Sequence, residues 1–130
     1  QEMREVADAL AGSGCRGLGL ALGAGIDALE RSGEWLRANA DPAGVQAGGA
    51  AWHFMMLAGV VCGGWQMGVA ALAAERRLAA GEGSASWLEA KLATARFYGE
   101  QILPRAAMHA AAATAGAASL MALDEAQFVA

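Results

Sequence analysis

The stretch FMMLAGVVCGGWQMGVAALAA, residues 54–74, contains no charged side chain in twenty-one positions. A helix needs about 20 apolar residues to cross a bilayer, so the stretch is long enough to do so. It also carries small residues at the four-residue spacing of closely packed helices, Gly59 with Gly63 and Gly64 with Gly68. The stretch is therefore either a membrane span or the central helix of a bundle.

The strongly apolar side chains in this stretch are few. They are Phe54, Leu57, Val60, Val61, Val69 and Leu72. At roughly −0.3 to −0.6 kcal/mol each they supply only about −2 to −4 kcal/mol of insertion free energy, which must also offset Gln66, the glycines and several alanines. We therefore interpret the stretch as a helix buried at the centre of a soluble bundle. We expect its four glycines to mark close helix contacts and Cys62 to be a small buried thiol.

The composition of the 130-residue chain favours helices and argues against several functions. Alanine is the commonest residue, and there are only two prolines. A net charge of −4 and a pI near 5.0 argue against binding to nucleic acid or to an anionic membrane surface. Cys15 and Cys62 are too few for a disulfide framework and lack metal-ligand spacing. No signal-peptide pattern is visible, so we expect a cytoplasmic protein. Because the first residue is Gln1, we also expect a piece of a longer protein.

Helical periodicity covers most of the chain, and breaks rich in glycine and proline separate its segments. We predict helices over residues 2–11, 16–39 and 42–80, and a last long helix from residue 84 or 86 to 116, followed by a small cap at Asp124. The predicted fold is all-α and consists of one domain over residues 1–130. It is an up-and-down helical bundle of three long helices with short N-terminal and C-terminal helical pieces.

The sequence also predicts the start of the third helix and the shape of the last one. Asp41 before Pro42 predicts an N-cap with proline at the first helical position. In the last helix, Pro104 predicts a kink near Glu100. The buried stripe of that helix is predicted from 4-3-4-3 spacing to comprise Leu88, Leu92, Ala95, Gly99, Ile102, Ala106, His109 and Ala113.

One short segment is similar to a nucleotide-binding turn. Residues 13–21, SGCRGLGLA, resemble the glycine turn of short-chain dehydrogenases, whose backbone N–H groups surround a pyrophosphate. The preceding residues 1–11 form a polar helical pattern where that turn requires a buried strand. We interpret the segment as a helix break followed by closely packed small residues.

No other motif assembles an active site. His53 and His109 fall on different helices without carboxylates at ligand spacing, so we interpret both as packed or partly exposed histidines. The tryptophans are interpreted as core or interface anchors, and they are Trp35, Trp52, Trp65 and Trp87. We assign no catalytic, cofactor-binding or metal-binding residue to this chain.

The last helical region carries a resemblance to a known family. Residues 89–104, EAKLATARFYGEQILP, followed by AGAASLMAL at 115–123 and by Phe128, closely resemble the extra C-terminal domain of a subgroup of acyl-CoA dehydrogenases. This subgroup is similar to 3-methylmercaptopropionyl-CoA dehydrogenase. Residues 63–65, GGW, also fit that domain. Ala118 departs from the pattern, because an acidic residue is expected there.

The resemblance implies a parent flavoenzyme that removes two hydrogens from Cα and Cβ of an acyl-CoA, with a glutamate as base and FAD as hydride acceptor. In such enzymes the base, the flavin pocket and the CoA cleft belong to upstream domains. The resemblance therefore implies a non-catalytic accessory domain that carries no cofactor of its own. It would support the oligomer or the active-site cleft. Its expected partners are the upstream domains and further copies, with neither nucleic acid nor membrane.

Two other functions remain open from the residues. The chain is alternatively a free-standing helical module that binds another helix or dimerises through an exposed apolar face. It is, in a third interpretation, a membrane helix with amphipathic flanks.

Overall fold

The computed structural model describes residues 1–129, and in this part of the chain every regular element is helical. Its elements are α1 (Glu2–Ala11), α2 (Arg16–Ala38), α3 (Val45–Ala79), α4 (Ala85–Phe97), a π-helical turn (Tyr98–Ile102), α5 (Arg105–Ala113) and a 3-10 helix (Glu125–Phe128). The all-α prediction is confirmed. Ala130, the last residue of the predicted domain, lies outside the described residues.

Successive helices pack antiparallel. Arg4, near the start of α1, forms ion pairs with Asp27 at the middle of α2, at 2.8 Å, and with Glu30 in its second half. Gly33 near the end of α2 faces Phe54 in the first half of α3, whereas Gly25 faces Val61 further along α3. The α4–α5 segment then returns along α3, because Tyr98 contacts Gly63 and His109 contacts His53. The topology is up-and-down, as the sequence predicts.

Helix α3 is the centre of the bundle, since α1, α2, α4 and α5 all contact it. The largest fully buried side chains come from several helices and meet around it, and they are Leu10, Leu18, Leu22, Leu57, Val61 and Leu103. Leu57 and Val61 supply the α3 side of this core. The prediction of a central helix is therefore confirmed.

The expectation that α3 is buried all round is wrong. Cys62 is exposed, and the buried thiol is instead Cys15 at the start of α2. A side chain added at Gly59 would meet open space, whereas Gly63, Gly64 and Gly68 do lie against neighbouring helices. The neighbours cover one side of α3 and leave the other side to solvent.

The start of α3 differs from the predicted cap. A turn separates Pro42 from the helix, which begins at Val45 after Gly44 in the left-handed region at φ +71°. Pro42 is therefore not the first helical residue. The carboxylate of Asp41 still accepts hydrogen bonds from the backbone N–H groups of Gln46 (2.8 Å) and Val45 (3.1 Å). These bonds lower the pKa of Asp41 below its ordinary value of 3.8.

The Asp41→Ala variant is expected to be less stable than the unchanged chain at neutral pH, because two N–H groups at the start of α3 lose their acceptor. Because the pKa of Asp41 is lower in the folded state than in the unfolded state, its carboxylate stabilises the fold fully when the pH is above the unfolded-state pKa. This contribution is lost as the pH falls through the folded-state pKa. The stability difference should therefore shrink below about pH 4. Urea unfolding from pH 7 to pH 3 measures it. Asp41→Asn, which keeps an acceptor oxygen, should lose less, and a pH-independent difference would contradict the assignment.

The last helix is interrupted by a π-helical turn rather than simply bent. Pro104 has no N–H to donate to the carbonyl of Glu100. The N–H of Leu103 donates instead to the carbonyl of Tyr98, five residues back, at 3.0 Å. The wider turn moves the buried position from the predicted Ile102, which is only half-buried, to Leu103. The other seven members of the predicted stripe are buried.

Candidate interaction surface

The glycine segment at residues 13–21 is a helix break followed by close packing, as interpreted from the sequence. Helix α1 occupies the place where a nucleotide-binding turn needs a strand. Gly19 lies against α1, where an added Cβ would come within 2.8 Å of the carbonyl oxygen of Ala7. Burial raises the pKa of the Cys15 thiol, with a smaller contribution from Glu75, so this thiol is suited to packing.

The structure brings together two histidines that the sequence separates by 56 positions. The Nδ1 atoms of His53 on α3 and His109 on α5 are 3.4 Å apart, and the ring centroids are 5.7 Å apart. The centroid separation exceeds the nitrogen separation by about one ring diameter, so the two nitrogens point at each other. His109 is buried, and Trp52 meets both rings edge-on. This geometry fits an N–H···N hydrogen bond that joins α3 to α5.

The pair falls short of a metal centre. Zinc sites in proteins use three or four protein ligands. Within residues 1–129, no group of three or more His, Cys, Asp or Glu side chains is placed to hold an ion. The sequence interpretation of two packed histidines agrees with their burial, but the contact between them was not foreseen.

The His53→Ala variant is expected to lower the free energy of unfolding by about 1–3 kcal/mol, because Nδ1 of buried His109 would lose its partner. The reverse variant, His109→Ala, removes the same bond and also leaves a cavity. Urea unfolding of both single variants and the double variant gives their coupling energy. Additive losses in the double variant would show that the rings do not interact.

The exposed side of α3 is an uncharged face, which we define by Trp52, Met55, Gly59, Cys62, Gln66, Val69, Ala70 and, at its end, the half-buried Ala73. Apart from the adjacent pair Val69 and Ala70 they recur every three or four positions, and all of them except Ala73 are exposed. Trp52 is 57% exposed, Met55 61% and Val69 41%. Large apolar side chains exposed on one face of a helix indicate an interaction site.

Helix α4 borders the C-terminal half of the uncharged face. The indole of Trp87 lies in one shallow pocket with Ala70 and Ala73 of α3, and the ammonium group of Lys91 stands 4.9 Å from that indole. Trp87 is itself 55% exposed. An exposed tryptophan beside small residues is a typical anchor position for a partner.

The middle of the uncharged face is supported from below by Tyr98. Its hydroxyl donates a hydrogen bond to the backbone carbonyl of Val60 at 3.0 Å, and its ring lies against Gly63. Burial raises the pKa of the Tyr98 phenol, with a further contribution from Cys62. The phenol therefore stays protonated and fixes the π-helical turn against α3.

The tryptophans divide between the two predicted roles. Trp35 and Trp65 are half-buried, and the indole N–H of Trp65 is buried without a hydrogen-bond partner in the described residues. Trp52 and Trp87 lie on or beside the uncharged face. The signal that could have revealed this face is the three- and four-residue recurrence of Trp52, Met55 and Gly59.

Ala118, which departs from the family pattern, is exposed after the end of α5.

By length and composition alone, α3 is able to span a membrane, and 33% of its 18-residue apolar window is buried in the bundle. The core helix of a soluble protein passes the same test. The expected absence of a membrane partner therefore stays a prediction.

Comparison with known proteins places these features in context. A family model described as "Acetyl-CoA dehydrogenase C-terminal like" matches residues 1–124. A 3-methylmercaptopropionyl-CoA dehydrogenase from Ruegeria pomeroyi is 43% identical to this chain over 83 residues. The match covers 64% of this chain and 13% of the length of that relative.

Proposed function

The chain belongs to the acetyl-CoA dehydrogenase C-terminal-like family, and on that premise we propose that it is a non-catalytic accessory domain of an acyl-CoA dehydrogenase-like flavoprotein. The parent reaction would be FAD-dependent α,β-dehydrogenation of an acyl-CoA. The domain would support the oligomer of that enzyme. The observation that carries the proposal is the family match over residues 1–124.

The surface of the bundle supports a docking role. The uncharged face offers apolar side chains and no charge, and the row extends along most of the longest helix. Several polar groups of the bundle have structural uses: Arg4 pairs with Asp27 and Glu30, Asp41 caps α3, and the histidines pair with each other. Such a domain would contribute contact surface, while the reacting groups, FAD and the acyl-CoA cleft lie in the other domains of the proposed parent.

A domain exchange tests this function. The Ruegeria relative should be prepared with the segment that matches this chain deleted, and in a second form with that segment replaced by this chain. We expect deletion to break the assembly and to reduce dehydrogenation of 3-methylmercaptopropionyl-CoA at least tenfold, and replacement to restore most of both. Sedimentation, flavin absorbance and turnover measure the outcome. The replacement with Leu103→Ala, which weakens the bundle core, is the matched control.

Two results would overturn the accessory role. One is a deletion form that keeps the assembly and turnover of the intact relative. The other is tight, stoichiometric FAD binding by this chain alone, since the flavin is assigned to other domains. The isolated chain is expected to show strong helical circular dichroism and no flavin absorbance.

The alternative function is a free-standing helical module that dimerises or binds another helix, with cytoplasmic localisation expected in either case. The exposed uncharged face favours it as directly as it favours docking to a dehydrogenase. A replacement form that fails while the isolated chain makes a specific complex would favour this alternative.

A further inference from the structure

We propose that the uncharged face of α3 binds the same face of a second copy of this chain, with the two α3 helices antiparallel about a twofold axis beside Cys62. The inference deepens the accessory function, on whose oligomer-supporting role it rests, by naming the partner of this face. A closed twofold contact uses one surface patch on both copies, so the patch must be complementary to itself.

The size of the side chains along the face makes it complementary to itself in one direction. The N-terminal end carries two large groups, Trp52 and Met55, and the C-terminal end carries the small residues Ala70 and Ala73, with Gln66 and Val69 between the centre and that end. The face is centred between positions 62 and 63. A twofold axis there opposes Met55 to Ala70 and Trp52 to Ala73, so these two large side chains each meet an alanine.

A parallel pairing of the same faces packs poorly. Trp52 would meet Trp52 and Ala70 would meet Ala70, so the helices would be forced apart at one end and leave a gap at the other. Interfaces need the packing density of protein interiors at their centre. The antiparallel pairing holds the helix separation constant along the face.

The centre of the face allows close approach. A Cβ added at Gly59 would meet no atom within 4 Å, and in the antiparallel pairing Gly59 lies opposite Gln66 of the other copy. Small residues at a crossing let two helix backbones approach closely. Cys62 lies next to the axis, so the two Cys62 thiols of a dimer would be close neighbours.

Helix α4 extends the contact and provides the pocket for an anchor. Because Trp87 shares a pocket with Ala73, the Trp52 of a second copy that meets Ala73 would also meet Trp87. The 22 residues from 52 to 73 span about 33 Å, and with the neighbouring α4 row the contact covers about 600 Å² per copy. This area is at the low end of specific interfaces, so the dimer should be weak and concentration-dependent.

The lack of charge along α3 is also compatible with a second copy as the partner. No Asp, Glu, Lys or Arg occurs between Asp41 and Glu75. Two copies therefore meet without placing like charges opposite one another, which a twofold axis would otherwise do to any charge near it.

Sedimentation velocity of the isolated chain across a concentration series tests the dimer. The unchanged chain should shift from monomer to dimer, and Met55→Glu should weaken the dimer at least tenfold because it buries two charges in the interface. Leu20→Glu is the matched control: Leu20 is 63% exposed, but it lies on α2, away from α3. Circular dichroism should show all three chains equally folded.

Thiol crosslinking tests the direction of pairing. A short bis-maleimide should join two copies through Cys62 and not through buried Cys15, and Cys62→Ser should abolish the product. In the Cys62→Ser background, a mixture of Met55→Cys and Ala70→Cys chains should crosslink to each other, whereas Met55→Cys chains alone should not.

Three outcomes would overturn the pairing. They are a monomer at all concentrations, a dimer that Met55→Glu leaves unchanged, and crosslinks of the Met55→Cys chain to itself. Binding of the monomer to phosphatidylcholine vesicles, lost in Met55→Glu, would assign the face to a membrane instead. The accessory role is tested separately by the domain exchange. A chain that is monomeric but still restores the assembly and turnover of the relative would refute the pairing alone. A chain that dimerises but fails to restore them would refute the accessory role.

Discussion

The Leu103→Ala variant is expected to lower the free energy of unfolding by about 2–5 kcal/mol. Leu103 is only 2% exposed, and its methyl groups fill the space above Gly64. A Cβ placed at Gly64 would come within 2.8 Å of Leu103 Cδ2, and one at Gly25 within 3.6 Å of the same atom. Leu103 therefore closes the junction of α2, α3 and the returning segment, and truncation leaves a cavity there.

The neighbouring Ile102 provides a matched control for this prediction. Ile102 is half-buried, so Ile102→Ala should cost less than Leu103→Ala. Urea unfolding followed by circular dichroism measures both. A larger loss for Ile102→Ala would mean that regular helical spacing continues past Pro104 and that the π-helical turn is absent in solution.

This pair of residues also shows how far periodicity predicts the fold. The 4-3-4-3 spacing correctly places Leu88 through Gly99 on the buried side, and Pro104 correctly marks the interruption. Periodicity does not predict how the backbone hydrogen bonds of the helix continue after the proline. That choice depends on which side chain fills the space above Gly64, a contact between residues 39 positions apart.

The exposure of α3 has a similar explanation. The sequence identifies the helix and its central place, because a long uncharged segment between amphipathic helices needs neighbours on some side. Apart from the recurrence of Trp52, Met55 and Gly59 it carries little periodicity, because alanine and glycine occur on both its buried and its exposed sides, so the uncovered side is only weakly marked. Cys62 and Gly59 face solvent because the other helices pack along one side of α3 only. The contact of His53 with His109 is equally non-local, and no local motif indicates it.

The family is the part of the function that the sequence established. The resemblance over residues 89–104 and 115–123 is confirmed by the family match to residues 1–124. Residues 89–104 carry most of the signal because they combine aromatic, charged and proline residues. The alanine-rich segments are compatible with many bundles, and the docking partner depends on surfaces that only the three-dimensional arrangement defines.

The Gly19→Ala variant is expected to lower the free energy of unfolding by about 1–3 kcal/mol, although alanine is the better helix former. A Cβ at Gly19 would lie 2.8 Å from the carbonyl oxygen of Ala7 and 2.8 Å from Cβ of Leu10. Both atoms belong to or adjoin the α1 backbone, so rotation of a side chain cannot relieve the clash. Helix α1 would have to move away from α2, and fully buried Leu10 would lose contacts with it.

Gly23, one turn further along α2, separates this packing effect from helix propensity. A Cβ at Gly23 meets no atom within 4 Å, so Gly23→Ala should raise the free energy of unfolding by about 0.5–1 kcal/mol. The two substitutions are chemically identical and lie in the same helix, and we expect opposite signs in urea unfolding. A stabilising Gly19→Ala would mean that α1 is not held against α2. The glycine that resembles part of a phosphate-binding turn is thus required, in this chain, for the contact between two helices.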